Sequence, residues 1–585
     1  MNIEDISVTE NKAESYGGGI TEAGTLNVKG RIEIKNNVSS NGYHNLALLG
    51  DKVLNVTGRI SDDSEIRLWG MNVPRPLTSG WKEKSGITSQ EKIRDTVIFD
   101  VEHSPYLYDD GELNVLVKYL DRKWDGNKVA EEEKMIPESP HRIPSGGGNL
   151  SDKRWYAVCE NEKINQILIV PEEKTANIIL MDGRTLTTTK GFYVPAANHG
   201  KAKATLNIYG QKDDNGGLKA SAIEYVPAIG GNQKSGHGDI NFYGGKIVAT
   251  GGDYGAGIGT GDENDYSCGT ISIYGGNITA QGGQDAAGIG GGNEDLAGKI
   301  NIYGGTVNAT GGFNGAGIGG GDDSEYNDIT IYGGDITAKS GCYAAGIGEG
   351  CSAESTGNHT ITIKGGTINA SSKDDGAGIG GGAGNNSGCK IIIDGGRVTA
   401  ESGDIGAGIG SGAYEAIYGG GDFSGSITIN NGDVHAYARN GEREEDRSAY
   451  NYLGGAAIGT GMHGDVKSGA TITINGGNVE AVASYGGAAI GASTHKTWVA
   501  DGDCNGTVRI NGGNVSLCLQ DVVLKDKQDD NVHIIGHGFG GSKDGTLFID
   551  SSMKVWFEGK DPVPQNKRSD TCHSFSNQWL HIGVR

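Results

Sequence analysis

Three sets of side chains in this sequence have types and spacings that could do chemistry. The first is a series of tyrosines. Tyr209, Tyr243, Tyr274, Tyr303 and Tyr332 each follow Ile or Phe, precede glycine, and hold one position in five successive copies of a repeat. Stacked, they would form an outward stripe, because the residue before each points inward and side chains alternate along a strand. A tyrosine face covers the apolar face of a sugar while its hydroxyl hydrogen-bonds. The same rings could instead cover the corner glycines of the neighbouring copy and stiffen the turn. The second set is acidic: Asp262, Glu263 and Asp265; Glu294 and Asp295; Asp322, Asp323 and Glu325. Stacked loops would gather these carboxylates, and calcium prefers clustered oxygens. The alternative is a solvated acidic rim that blocks edge pairing. The third set lies in long insertions. Trp498, beside His495 and Asp503, is a candidate sugar contact or an anchor for its own loop.

These residues are positioned by a repeat. The unit reads I-x-I-Y-G-G-x-I-x-A-x-G-G-x-x-A-A-G-I-G-G-G, followed by a variable loop. Its first apolar residues are Ile240, Ile271, Ile300, Ile329, Ile361, Ile391, Ile427, Ile472 and Val508, at steps of 31, 29, 29, 32, 30, 36, 45 and 36 residues. Each unit holds three short apolar pieces of period two, such as Ile271–Ile273, Ile278–Ala280 and Ala287–Ile289. Period two is the signature of strands with one face inward. Glycine pairs between the pieces supply the positive φ of a sharp corner. Three strands and three corners make a triangular coil, and like strands of successive coils then stack in parallel. The expected fold is an all-β, right-handed parallel β-helix of about 30 residues per coil. Nine or ten coils at the 4.8 Å strand spacing give a rod of roughly 45 Å. In A-G-I-G the glycines, such as Gly288, Gly317, Gly346, Gly378 and Gly408, should point outward as a flat face, bare or covered by a folded-over loop.

Composition agrees. Glycine makes up 104 of 585 residues with no every-third-residue period, which excludes collagen. Only 35% of residues are hydrophobic, too few for one large globular core but enough for the thin strip each solenoid coil buries. A net charge of −23 argues against nucleic acid and anionic membranes as partners. No apolar run of about 18 residues exists to span a membrane. None of the eight cysteines sits in a CxxC pattern, so structural zinc has no cysteine support. Cys351 and Cys389 fall in adjacent coils and could meet.

Outside the repeat the pattern loosens. Residues 1–70 read as β-helix coils with a different repeat, and 71–150 as an irregular insert with a short helix at Ser89–Asp95 and a Pro/Gly-rich linker. The main β-helix takes 151–545, and 546–585 form a strand and cap. Met1 is followed by NIEDISVTENKAESYGGG, which is no signal peptide, so the chain reads as part of a longer protein.

The run AAGIGGGNEDLAGKINIYGGTVNATGGFNGAGIGGG resembles repeats of large secreted or wall-attached, adhesin-like proteins of Gram-positive gut bacteria, and SVTENKAESYGGGITEAGTLNVKG resembles their companion repeat. The resemblance implies an extracellular or cell-surface location and transfers no catalytic motif. Pectin-hydrolase-like β-helices combine N-T-D, D-D and G-H-G. Here G-H-G occurs at Gly236–Gly238 and Gly536–Gly538, and Asp529-Asp530 precedes the second, but N-T-D is absent. Asp374-Asp375, Lys364 and Arg397 could serve a glycosidase or lyase, yet nothing in the sequence singles them out. The leading expectation is therefore a surface rod that binds glycans or a host surface protein. It needs no cofactor, with calcium as an optional ion. A carbohydrate-active enzyme and a passive stalk are the alternatives. Where 71–150 lies decides the tyrosines: across the stripe it makes a packing surface, away from it a free platform.

Overall fold

In the computed structural model the described residues are 1–13, 19–22, 25–39, 42–43, 45–48, 52–70, 76–99, 105–197, 202–263, 268–324, 326–353, 359–384, 387–403, 405–413, 421–439, 454–484, 486–493, 502–520, 532–538, 541–572 and 579–584. The chain forms a right-handed parallel β-helix with three faces. Face one runs from Arg154–Val158 through Thr205–Tyr209 and Thr270–Ile273 to Thr546–Ile549, thirteen strands in register. Face three holds thirteen short strands from Gly148–Asn149 to Ile535–Gly536. Face two runs from Glu162–Ile164 to Asn514–Gln520 and ends on two antiparallel strands, Leu580–Gly583 and Lys554–Phe557. Thirteen stacked strands span about 58 Å at the usual spacing, longer than the nine or ten coils expected. Additional coils lie at 148–193, where single glycines, Gly183 and Gly191, stand in place of the glycine pairs that mark the later copies.

Register follows the isoleucines. Ile240, Ile271, Ile300 and Ile329 pair successively on face one, and Ile229, Ile258, Ile289 and Ile318 on face three. All are fully buried. Each buried aliphatic side chain contributes about 1.5–3 kcal/mol, so the stack is held by many small, similar increments. Corners need glycine. Gly276 has φ +91°, and a Cβ there would sit 2.6 Å from the Gly245 carbonyl of the coil before it.

The glycine face is not bare. A Cβ on Gly288 would lie 2.7 Å from the Thr310 backbone nitrogen and 2.8 Å from the Gly317 oxygen, so the chain's own next coil covers it. Gly317, Gly346, Gly378 and Gly408 repeat this contact with the following coil.

The N-terminal region is a separate eight-stranded sheet that includes Asn2–Thr9, Leu26–Lys35 and Leu54–Ile60. Its core of Leu26, Val28, Ile32, Ile34 and Trp81 continues onto the outward residues of face one: Ala157, Cys159, Ile179, Met181 and Tyr209. The described residues of the stretch expected to be irregular form regular elements. It contains a helix, Gln90–Thr96, whose N-cap Ser89 accepts the Lys92 N–H. It also contains two antiparallel hairpins, Pro105–Leu107 with Leu113–Val115 and Lys118–Trp124 with Val129–Met135. Their charged residues hide the apolar alternation from a sequence reading. All eight cysteines are free, and the Cys389 thiol takes a hydrogen bond from Ser387 rather than pairing with Cys351. No helix among the described residues is long and apolar enough to cross a membrane.

Candidate functional site

The tyrosine ladder forms as the repeat predicts. Tyr209, Tyr243, Tyr274, Tyr303 and Tyr332 stack with centroids 4.5, 5.0, 4.7 and 4.7 Å apart, at interplanar angles of 6°, 4°, 9° and 15°. Both ends of the stack are closed. Trp155 stacks on Tyr209, and the Lys364 ammonium sits 4.8 Å over Tyr332. The second hairpin runs along the outer edge of the stack. Tyr119 meets Tyr209, and Trp124 meets Tyr303 and Tyr332 at 5.5 and 4.9 Å. Between them Arg122 Nη1 donates to Asp214 at 2.9 Å and to the Tyr243 carbonyl at 2.6 Å. Residues from 71–150 therefore lie across the stripe. The glycan-platform reading of Tyr243, Tyr274, Tyr303 and Tyr332 loses its open aromatic faces: the rings stack on one another, Lys364 caps Tyr332, and Trp124 lies against Tyr303 and Tyr332. Burial pushes the Tyr243 phenol up to about 12, as expected of a packed ring. Beyond Lys364 the position becomes an amide ladder, Asn511 to Asn475 to Asn430 to Asp394, at 2.8–2.9 Å.

The acidic turns do not converge. Glu263, Glu294 and Asp323 occupy one left-handed turn position, at φ +53°, +50° and +48°; all three are exposed, and Glu263 pairs with Lys234. Asp262 is buried and bonds the Asn293 amide at 2.8 Å. Asp295 is buried in the same turn as the exposed Glu294. The sequence places these acids at the same repeat position but not their atoms at one point, so the calcium arrangement expected of Asp262, Glu294, Asp295, Asp322 and Asp323 is not formed among the described residues. Asp265 and Trp498 lie outside the described residues, as does His495.

Asp262 and Asp322 instead border a feature that the sequence reading missed. Four or five residues before the buried isoleucine of face three, each coil makes a tight turn on the rod's edge. Those turns place Tyr225, Tyr254, Phe313 and Tyr343 in a row. Tyr225, Tyr254 and Phe313 are 40%, 36% and 47% exposed, among the most exposed large apolar side chains described. Tyr225 and Tyr254 stack at 5.3 Å and 11°, and Phe313 and Tyr343 meet edge-to-face at 5.0 Å. Backbone bonds hold the turns in register: Tyr254 N–H to the Glu224 carbonyl, Asn314 N–H to Gln284, and Tyr343 N–H to Phe313. The coil between the two aromatic pairs carries Gln284 and Asp285, so Tyr254 and Phe313 are separated by two coil steps, about 10 Å.

Polar groups line this row. The Asp262 N–H bonds the Tyr225 carbonyl, and the Asp322 N–H bonds the Asp285 carbonyl. The Asn314 side-chain nitrogen donates to Asp285 at 2.8 Å and to Asp322 at 3.1 Å, which puts the two carboxylates within about 6 Å of one another. Burial, then the neighbouring charges of Asp323 and Asp285, pushes the Asp322 carboxyl up to about 6. Burial likewise raises Asp285. The register that would have revealed the row is in the sequence, four or five residues before Ile229, Ile258, Ile318 and Ile347, but that varying offset and the alternation of aromatic with polar residues obscure it.

Two other constellations are less suited to chemistry. On face two, Tyr437 donates to Glu480 at 2.6 Å, with His435 3.5 Å from the same carboxylate and 3.3 Å from Asp433. Burial, reinforced by Glu480, pushes the Tyr437 phenol up to about 12, far from a poised base. His237, of the first G-H-G, is fully buried. Burial lowers it to about 4, and its Nδ1 lies 2.6 Å from the Gly238 carbonyl.

Seven segments, 240–262, 271–293, 300–322, 329–348, 361–383, 391–413 and 472–494, match the family model described as a beta helix repeat. No curated protein and no solved structure matches the chain. Repeat matches and three continuous parallel sheets agree: the chain folds as a parallel β-helix and carries copies of this repeat.

Proposed function

We propose that this β-helix is an extracellular or cell-surface scaffold that binds glycans along the edge carrying Tyr225, Tyr254, Phe313 and Tyr343. The observation that carries the reading is the row itself: solvent-facing aromatic rings in register on a rigid rod, interleaved with carboxylates and amides. Aromatic faces cover the apolar faces of sugars, and planar carboxylates and amides bond their hydroxyls. Two aromatic pairs separated by a polar coil suit an extended chain better than a single ring. The acids of the edge and the net charge of −23 favour neutral or amino sugars over uronic or sialic acids. The resemblance to adhesin-like repeats supports the location.

A glycan array with the intact protein tests this, with Tyr225→Ala/Tyr254→Ala as the comparison. Binding to neutral glycans that the double variant loses is the expected result. Silence toward every glycan and host surface protein would favour a passive stalk. Binding that survives the double variant would move the site elsewhere.

A second reading rests on Asp285 and Asp322. Two carboxylates within about 6 Å, both raised in pKa by burial and Asp322 up to about 6, resemble the acid and nucleophile pair of a retaining glycosidase. New reducing ends from mucin or plant polysaccharide, abolished by Asp322→Asn, would establish hydrolysis at this edge.

A further inference from the structure

At the C-terminal end of the rod the repeat changes its chemistry. From Ile258 to Ile490 on face three, a buried alanine two residues before the isoleucine donates its N–H to the residue two after it, as in Ala256 to Thr260, Ala287 to Gly291, Ala316 to Gly320, Ala456 to Thr460 and Ala488 to Ala492. In the last coil both positions become histidine, and the same bond joins the His533 N–H to the His537 carbonyl at 3.1 Å. The register is kept, since Ile490 pairs with Ile535 and Gly491 with Gly536. The two rings lie 4.0 Å apart, at positions that the coils from Ile258 to Ile490, Glu349 apart, fill with Ala, Gly, Ser or Thr.

A carboxylate completes the arrangement. In earlier coils the N–H at the second position bonds the next coil's glycine carbonyl, as Ala492 does to Gly536. Among the described residues no strand of face three follows Ile535–Gly536, and Asp544 Oδ1 takes that acceptor role for the His537 N–H at 3.2 Å. The same oxygen lies 2.5 Å from His533 Nδ1 and 3.7 Å from His537 Nε2. Asp503 fixes the loop that carries Asp544, accepting the Ser542 and Lys543 N–H groups at 2.8 and 3.0 Å. His537 is oriented from behind, with Nδ1 2.8 Å from the Gly538 carbonyl. A carbonyl only accepts, so Nδ1 carries a proton, and in the neutral ring Nε2 is the nitrogen left to bind an ion.

We infer that His533, His537 and Asp544 form a binding site for a divalent transition metal ion, which staples the last coil to the cap. One ligand atom from each residue lies within 4.8 Å of the others, the only such group of three among the described residues. Two imidazoles and a carboxylate suit zinc, cobalt or nickel rather than calcium or magnesium, which take all-oxygen ligands. The carbonyl behind His537 is the outer partner that metal-bound histidines use. His533 and Asp544 are partly exposed, so water can complete a four-coordinate shell. Ligand atoms about 2.1 Å from one ion stand about 3.4 Å apart in a tetrahedron. The His537–Asp544 separation of 3.7 Å already fits this, and ion entry opens the 2.5 Å His533–Asp544 contact.

The test titrates cobalt(II), then zinc(II), into the full chain after chelator treatment and dialysis. The measurements are the cobalt visible spectrum, bound metal per chain by mass spectrometry, and Tm. The expected result is one tightly held ion with a four-coordinate cobalt spectrum, displaced by zinc but not by calcium or magnesium, and a rise in Tm. His537→Gln and Asp544→Asn, which keep polar atoms for the cap, should each weaken binding by roughly 100-fold or more. His435→Ala, outside the group, should bind like the parent. Less than stoichiometric uptake by the unaltered chain overturns the site, because that measurement does not depend on any variant folding. Unchanged affinity in both His537→Gln and Asp544→Asn overturns it equally.

Discussion

Asp322 shows how the fold sets the chemistry of a single residue. Its carboxyl is drawn into the edge beside Asp285 and Asp323, and its folded pKa of about 6 stands well above the ordinary 3.8. A group raised in the folded state favours folding when protonated. Its contribution is complete below about 4 and is lost as pH rises through about 6. The unaltered chain should therefore lose Tm relative to Asp322→Asn between pH 4 and 7. Parallel Tm curves for the two proteins would mean that Asp322 titrates normally. Glycan binding through this edge should vary with pH over the same range, since Asp322 changes from donor to pure acceptor. The sequence marked Asp322 as acidic, in a repeat register and beside Asp323, but its burial and its neighbours Asp285 and Asn314 come from other turns, so its altered titration was not legible.

At the scale of elements, the hairpin of Lys118–Trp124 and Val129–Met135 determines what the tyrosine ladder is for. Trp124 lies on Tyr303 and Tyr332, and Arg122 crosses to Asp214 and the Tyr243 carbonyl. Trp124→Ala removes a half-buried aromatic contact and should cost about 1–2 kcal/mol in urea unfolding, less than a full core truncation. It should also speed proteolysis of the hairpin while leaving the β-helix resistant. A hairpin no more sensitive than in the parent would mean that Trp124 contributes nothing to docking. Arg122→Ala should act in the same direction, because it leaves the part-buried Asp214 carboxylate without its guanidinium partner. The ladder was legible from spacing alone. Its covering was not, because the contacts join residues 119–124 to residues 209–332, and their pairing follows no local period.

At the scale of the whole molecule, stability is a sum over coils and their interfaces. Ile318→Ala in a central coil should cost about 2–5 kcal/mol, since the stacked isoleucines leave no room to collapse into the cavity. Glycine substitutions should divide sharply. A Cβ at Gly317 would lie 2.5 Å from the Lys339 nitrogen, so Gly317→Ala should destabilise by about 1–3 kcal/mol or more. At Gly304 the nearest atoms lie at 3.3 and 3.4 Å and need give only a few tenths of an ångström, so Gly304→Ala should cost clearly less than Gly317→Ala by thermal unfolding. Equal effects at the two sites would contradict the close approach of coils on face three. Much of the glycine content thus reflects the distance between coils rather than an open surface.

The sequence by itself determined the β-helix, its three short strands per coil, the isoleucine register and the tyrosine and asparagine ladders. Each depends on a local period of two residues or a repeat of about thirty, and local periods survive in one dimension. Tertiary structure alone decided the thirteen coils, the closed glycine face, the hairpin over the tyrosines, the aromatic edge and the His533–His537–Asp544 group. These arise where the chain departs from its repeat or folds back on it. There, which atoms meet depends on distances in space that spacing along the chain does not encode.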